Sequence, residues 1–280
     1  MEDLRPVLTT YAYNITGCID EAKDIVQDVY MKYLQLNESS LFNREAYIKK
    51  MVINHAINFK NKHRREIRSY PGQWLPEPVE TDTPDRGIDR KEVLSYSMMV
   101  LLEKLNARQR AVFILREAYD YDHSEIARLL DMTEENSRQL LARSKKKIKV
   151  QSPAQSTPDT LLLQKYLDIM ARADISQLEQ LLKEDISIVS DGGGKASAAV
   201  NPLHGKQDCL AFLSGIYQKF YQDREGAFCF INHLPALCYY EGESLTTCKI
   251  FHIEEGTIKD VFILRNPEKL TLLKSPDAVT

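Results

Sequence analysis

The sequence predicts a multidomain chain: two all-α helical domains followed by an α+β domain. Three observations carry that prediction. Apolar residues recur at helical spacing through the first 150 residues. Two polar, proline-containing stretches, 68–88 and 151–159, interrupt the pattern. Runs rich in Ile, Val, Phe, Tyr and Thr, bounded by turn residues, follow residue 185.

The first domain spans 1–67. In 22–36, Ala22, Ile25, Val26, Val29, Tyr30, Tyr33 and Leu34 form one helical face, with Asp24, Gln27, Asp28 and Lys32 opposite. A second helix fits 44–66, with Tyr47, Ile48, Met51, Val52, His55, Ala56 and Phe59 turned inward. The linker 68–88 holds four prolines and two glycines, which no continuous helix crosses. In the second domain, 89–150, helices are expected at about 89–105, 107–118, 123–130 and 133–148. After the linker 151–159, the third domain covers 160–280. It opens with helices at 160–172 and 176–183, where Ser176 and Glu179 are spaced as a capping box. Strands are expected at 186–190, 227–234, 236–241, 244–253 and 257–265, with a helix at 206–221. Glu241-Gly242 and Glu255-Gly256 read as hairpin turns, so the strands form a mostly antiparallel meander.

Composition excludes several classes. No stretch approaches the ~20 apolar residues of a membrane helix, and the start MEDLRPVLTTYAYN lacks a signal core. The five cysteines form no C-x-x-C pair, which fits reduced thiols in the cytoplasm rather than a disulfide framework or a metal site. The net charge of −3 hides a division: residues 1–150 carry 25 Lys+Arg against 23 Asp+Glu, and 151–280 carry 12 against 17. The acidic last part is a candidate partner in cis for basic surfaces in the first.

Those surfaces are local. Segment 122–148 has the layout of a helix-turn-helix, with Ile126, Leu129 and Leu130 on the supporting helix and Thr133 as N-cap of the next. Asn136, Gln139, Arg143 and Lys146 share one face of that second helix, and Arg138 and Lys145 lie beside it. Asn and Gln suit adenine edges, Arg suits guanine, and Lys suits phosphate. A second basic strip, 43–68, has eight Lys/Arg (Lys60 among them) against Glu45 and Glu66. Asn54, Asn58 and Asn61 share it, with Tyr47, Phe59 and Tyr70 interleaved, a mixture that suits duplex or melted DNA. A solvated basic helix end is the alternative for each strip alone.

These residues carry a family resemblance. EAKDIVQDVYMKYL with REAYIKKMVINHAINFKNKHRRE resembles region two of the extracytoplasmic-function sigma factors. Residues 99–149 resemble their region four. The resemblance implies a promoter-recognition subunit that binds RNA polymerase core, at the beta-prime clamp and the beta flap. By it, Asp24, Gln27 and Asp28 face the clamp. Asn54, Asn58, Lys62, Arg64 and Arg65 engage the melted minus-ten element, and Asn136, Ser137, Arg138, Gln139, Arg143 and Lys146 the minus-thirty-five element. No cofactor is implied, and no catalytic residue, because the chemistry belongs to the polymerase.

The third domain resembles the SnoaL-like cone-shaped barrel of the SigJ-like subfamily. Three strings carry this: Trp74-Leu75-Pro76-Glu77-Pro78, Asp191-Gly192-Gly193-Gly194-Lys195 and Asn266-Pro267-Glu268-Lys269-Leu270. The resemblance implies interdomain regulation in cis, with no separate anti-sigma factor. Trp74 between prolines is a rigid apolar anchor, and the triple glycine permits close backbone approach and positive φ. G-x-x-x-x-G-K-[ST] is absent, which disfavours nucleotide binding. The alternative function is a DNA-binding regulator whose SnoaL-like domain binds an unknown small molecule or acts as an enzyme. Its acid/base candidates are Asp191, His204, Asp208, His233 and His252, which show no diagnostic spacing.

Overall fold

The computed structural model describes residues 4–35, 43–82, 87–148, 160–224 and 226–273, without the side chains of Arg65, Arg68 and Thr160. The linker expected at 151–159 lies outside them. The chain forms two compact units. One gathers Met1–Ser69, Pro84–Leu94 and Met98–Pro153; the other gathers Tyr70–Thr83, Ser95–Ser97 and Ala154–Thr280. Among the described residues no helix is long and apolar enough to cross a membrane.

The first unit is helical. Helices α1 (Arg5–Thr16), α2 (Ile19–Leu34) and α3 (Arg44–Arg68) pack together. The sequence pattern does not announce α1, because it is buried all round from Leu8 to Thr16 and has no polar face to set a period. Asn43 caps α3 by accepting from the Ala46 amide at 3.0 Å. The inner face of α3 is rotated from the expected one: Ile48, Val52, Ile53, Ala56 and Ile57 are buried, while Tyr47, Met51, His55 and Phe59 are half-buried.

The helix expected at 89–105 is broken. A single 3₁₀ turn covers Arg90–Glu92, and α4 (Tyr96–Leu102) starts after extended Val93. Helices α5 (Ala107–Glu117), α6 (His123–Leu130) and α7 (Glu134–Ile148) follow. Asp122 and Glu125 form a capping box on α6, and Asp131 ends it at φ 49°. That left-handed residue sets the turn into α7, where Thr133 Oγ1 accepts from the Asn136 amide at 3.2 Å.

The second unit is α+β. Helices α8 (Thr160–Ala171) and α9 (Ile175–Leu181) lead into β1 (Leu182–Asp191) and β2 (Leu203–His204). Asp174, not Ser176, caps α9: it accepts from the Gln177 amide at 3.0 Å, two residues ahead of the expected cap. After α10 (Lys206–Phe220) come β3 (Gly226–Ile231), β4 (Leu234–Glu241), β5 (Ser244–Glu254), β6 (Thr257–Leu264) and α11 (Pro267–Leu270). The sheet order is β2-β1-β6-β5-β4-β3, antiparallel except for β1 against β6.

Two turns differ from expectation. Glu241 pairs with Ser244, so the β4–β5 turn is Gly242-Glu243. The run expected as one strand over 227–234 is interrupted at Asn232 (φ 46°) and His233 (φ 64°), a two-residue turn without glycine. Asn and His tolerate the left-handed region better than most residues, and the Asn232 side chain is held in place by a hydrogen bond.

One sheet face carries Leu237, Tyr239, Phe251, Val261 and Ile263, and packs with Tyr166 of α8 and Leu213 of α10. The other carries Ala236, Cys238, Cys248, Ile250 and Phe262. There the Tyr96 ring meets Phe262 with centroids 5.4 Å apart. At roughly 25 cal/mol per Å² of apolar area, these two layers supply most of the unit's driving force for folding.

Candidate nucleic-acid interface and strap-docking site

In the first unit, Asp24, Gln27 and Asp28 stand exposed on α2, as the amphipathic pattern requires. The same stripe continues one turn on to Met31, which is 57% exposed. On α3, Asn58, Lys62 and Arg64 are exposed, and the Arg65 side chain lies outside the described residues. Asn54 is half-buried and donates to the Leu129 carbonyl of α6 at 3.3 Å. Lys50 pairs with Asp131 at 2.6 Å in the same seam between α3 and the helix-turn-helix.

Lys60 is a correction. It is 5% exposed, donates to Thr16 O at 2.8 Å and pairs with Glu103, so it is not part of the basic surface. Glu103 also takes Arg110, which is fully buried and donates through Nε to Asn14 O at 2.8 Å. Burial, with Arg110 adding to it, pushes the Lys60 ammonium down to about 8 against the pull of Glu103. Burial pushes the Glu103 carboxyl up, but Arg110 and Lys60 outweigh it and hold the group below its ordinary value. The two cations and one carboxylate thus tie α3 to α5 as a buried network.

On α7, Asn136, Arg138, Gln139, Arg143 and Lys146 are exposed together. Arg138 pairs with Glu134 at 2.7 Å, and Gln139 donates to Glu135 at 3.1 Å. Such exposed i,i+4 contacts are worth a few tenths of a kcal/mol and yield readily to a phosphate or a base edge. Ser137 is the second correction: it is fully buried, and its hydroxyl meets His123 Nδ1 at 2.9 Å, so it faces inward.

In the second unit, residues from all three sequence strings meet at Asp191. Its carboxylate is fully buried. One oxygen accepts from the Tyr70 hydroxyl at 2.6 Å and the Gly193 amide at 3.0 Å. The other accepts from the Leu75 amide at 2.9 Å and the Lys269 ammonium at 2.7 Å. Lys269 also donates to the Leu75 carbonyl and lies 4.2 Å from the Trp74 ring centroid. Asn266 donates to the Tyr70 hydroxyl at 2.9 Å and caps α11. Burial and the Asp191 hydrogen bond raise the Tyr70 phenol well above its usual range. Tyr70 is therefore a docking residue and not one of the stacking aromatics.

Glycine is required at position 193. Its φ is 61°, and a Cβ there would sit 2.5 Å from Asn266 Cγ. Lys195, at the end of the string, pairs with Glu268 of α11.

Downstream, the segment 76–82 runs as a strap along the β3 edge. Tyr96 donates to Pro76 O at 2.7 Å. The Val79 amide donates to the Asn232 side chain at 3.0 Å, and the Asn232 amide returns a bond to Val79 O at 2.8 Å. The Thr81 amide donates to Phe230 O at 2.9 Å. Sequence reasoning missed Asn232. Its signal was a polar residue at a strand end, too common to single out.

The acid/base candidates do not assemble. Asp191 is taken by the strap, His204 and Asp208 are exposed on β2 and α10, and His233 is in a turn. His252 meets Asp260 at 2.7 Å, and Asp260 also takes the Ser187 hydroxyl at 2.6 Å. The carboxylate stands between hydroxyl and imidazole, so this row does not form a nucleophile–base pair.

Comparison with known proteins gives these regions a family. Residues 1–66 match the model for Sigma-70 region 2, and residues 96–148 match that for Sigma-70, region 4. The ECF RNA polymerase sigma factor SigJ of Mycobacterium tuberculosis (strain ATCC 25618 / H37Rv) is 28% identical over 290 residues, covering 96% of this chain and 92% of that one. The ECF RNA polymerase sigma factor SigG of Mycobacterium tuberculosis (strain CDC 1551 / Oshkosh) is 24% identical and covers 76% of this chain and 67% of its own. The crystal structure of Mycobacterium tuberculosis SigJ shares the fold, with a TM-score of 0.77, 24% identity and 98% of each chain covered. The chain belongs to the extracytoplasmic-function sigma factors, subunits that direct RNA polymerase to promoters in transcription initiation. The likeness to SigJ covers 96% of the chain and so continues through the α+β domain, whose fold the SigJ structure shares.

Proposed function

We propose that the third domain regulates this sigma factor in cis by holding the strap, so that no separate anti-sigma factor is needed. The observation that carries this reading is the convergence of Tyr70, Leu75 and Lys269 on the buried carboxylate of Asp191. The strap is the covalent link between the two DNA-reading regions. While docked, its length is withheld from the linker that spans the two promoter elements.

In this reading Asp24, Gln27 and Asp28 meet the beta-prime clamp of the polymerase, and region four meets the beta flap, in the cytoplasm. Asn58, Lys62, Arg64 and Arg65 engage the melted minus-ten element, and Asn54 joins them on leaving Leu129. Asn136, Arg138, Gln139, Arg143 and Lys146 read the minus-thirty-five element. Run-off transcription with core polymerase and a matched promoter tests it. The wild-type chain yields a sigma-dependent product, and Asp191→Asn alters the yield at equal occupancy of core. No product would sink the initiation reading; equal yields would sink the regulatory one.

A second reading, small-molecule binding by the third domain, rests on one observation. Lys249 is fully buried on the helix-packed sheet face, 3.7 Å from the Tyr221 ring centroid, and its ammonium has no hydrogen-bond partner among the described residues. A thermal-shift screen of small organic acids and carbonyl compounds, repeated on Lys249→Met, decides whether that amine is a ligand contact.

A further inference from the structure

Three of the five cysteines converge on the strap-facing side of the sheet. Cys238 is directly opposite Cys248 in the β4–β5 ladder. Cys229 is on the edge strand β3, and its sulfur lies 3.3 Å from that of Cys238. Cys238 and Cys248 are 3% and 0% exposed, and Cys229 is half-buried at the edge. All three are free thiols. The strap bonds to the same strand: Thr81 to Phe230 O, and Val79 to Asn232, flank the strand end just beyond Cys229.

We propose that Cys229 and Cys238 form a thiol pair that a hydroperoxide oxidises to a disulfide, and that closing it shifts the grip of β3 on the strap. A disulfide needs about 2.05 Å between sulfurs, so the pair must close by about 1.2 Å from its present 3.3 Å. Hydrogen bonds from the Cys229 and Cys248 thiols favour the charged form of Cys238 and lower it from the ordinary thiol value, so Cys238 is taken as the attacking sulfur. Fraying of the edge strand admits the peroxide.

The Cys238 thiolate attacks one peroxide oxygen: an S–O bond forms, the O–O bond breaks, and the leaving oxygen departs protonated as water or an alcohol. The product is a sulfenic acid on Cys238. The Cys229 sulfur then attacks that sulfur. The S–S bond forms, the S–O bond breaks, and hydroxide leaves with the Cys229 proton as water. Two thiols are oxidised by two electrons, and one hydroperoxide is reduced. This inference stands on the chain's own thiols and does not depend on the promoter reading.

The closeness of the pair matters because β3 and β4 are joined by the Asn232-His233 turn that holds Val79. Drawing Cys229 toward Cys238 twists that hairpin, and the strap amides register the change. The other two cysteines serve as internal references. Cys209 is buried beneath Ile186 O, and burial pushes its thiol up to about 11. Cys18 is buried in the first unit.

The test treats the reduced full chain with hydrogen peroxide and then blocks the remaining thiols. Cys229, Cys238 and Cys248 all lie between Arg224 and Lys249, so chymotrypsin, which cuts at the aromatics between them, maps the linkage. The expected product has lost two hydrogens and links Cys229 to Cys238, with Cys18 and Cys209 unchanged. Cys248→Ser still forms it; Cys229→Ser stops at a sulfenic acid on Cys238. Hydrogen exchange at the Val79 and Thr81 amides rises at least fivefold on oxidation. A Cys238–Cys248 linkage, or oxidation of Cys18 or Cys209 ahead of the pair, would overturn the pairing. Formation of the disulfide with unchanged exchange at Val79 and Thr81 would overturn the link to the strap.

Discussion

Asp191→Asn is the sharpest test of the strap, because one atom pair carries so much of it. Asp191 and Lys269 are 0% and 7% exposed at 2.7 Å, so neither charge has water as a fallback. The amide keeps an oxygen for Tyr70 and Gly193 but turns an NH₂ toward the Leu75 amide and the Lys269 ammonium. Removing one partner of a buried ion pair costs about 3–5 kcal/mol, and stranding the Leu75 N–H adds about 1 kcal/mol. Taking about 4 kcal/mol, the docking equilibrium falls roughly a thousandfold. The chain has one tryptophan, and Trp74 lies 4.2 Å from the Lys269 ammonium, so its emission reports the strap directly. In urea, the wild-type Trp74 transition should coincide with loss of the α+β unit. In Asp191→Asn it should come earlier, ahead of the far-ultraviolet signal. Adding Lys269→Met removes the unpaired charge and should recover about 2 kcal/mol. A single variant within about 1 kcal/mol of wild type, with coincident transitions, would refute the account.

Arg143→Ala should weaken minus-thirty-five binding by about 1–3 kcal/mol at fixed salt; a binding titration on matched and mismatched sites reads it, and unchanged affinity removes Arg143 from the interface. Glu103→Gln removes the carboxylate that buried Lys60 and Arg110 share and should cost about 3–5 kcal/mol in thermal unfolding of the helical unit. Burial pushes the Lys249 ammonium down to about 7, so the folded state sheds its proton before the unfolded chain does. The unfolded state then binds more protons, and this group's contribution to stability rises with pH from about 7 to 10.5. Lys249→Met should abolish that rise and be the more stable protein at pH 7, even though the Tyr221 face offsets about 2 kcal/mol of the burial cost. Parallel pH profiles for the two proteins would count against it.

The helix-turn-helix was legible because its signals are local. Thr133 caps its helix within four residues of itself, and the apolar stripe of Ile126, Leu129 and Leu130 repeats at the helical period. Strands β5 and β6 and the Glu255-Gly256 turn between them were legible for the same reason. Helix α1 was not, since burial on every side erases amphipathic contrast. The break at Val93–Ser95 was missed because Asn14, 80 residues away, accepts from the Leu94 amide and holds the chain extended there. Lys60 and Ser137 carry residue types that suit DNA, and only their neighbours show that they face inward.

What the sequence determined by itself was periodicity, capping and the residue types on each face, which are interactions within a turn or two of chain. It supplied three strings with no means of joining them. Tertiary structure decided which charges meet: Asp191 finds Leu75 across 116 residues and Lys269 across 78, and Cys229 comes within 3.3 Å of Cys238 through the pairing of two strands. The physical reason is burial. An unpaired buried carboxylate or ammonium costs several kcal/mol, so such a group either finds a partner, as Asp191 does, or is pressed toward its neutral form, as Lys249 is, and chain separation along the sequence does not limit where a partner comes from.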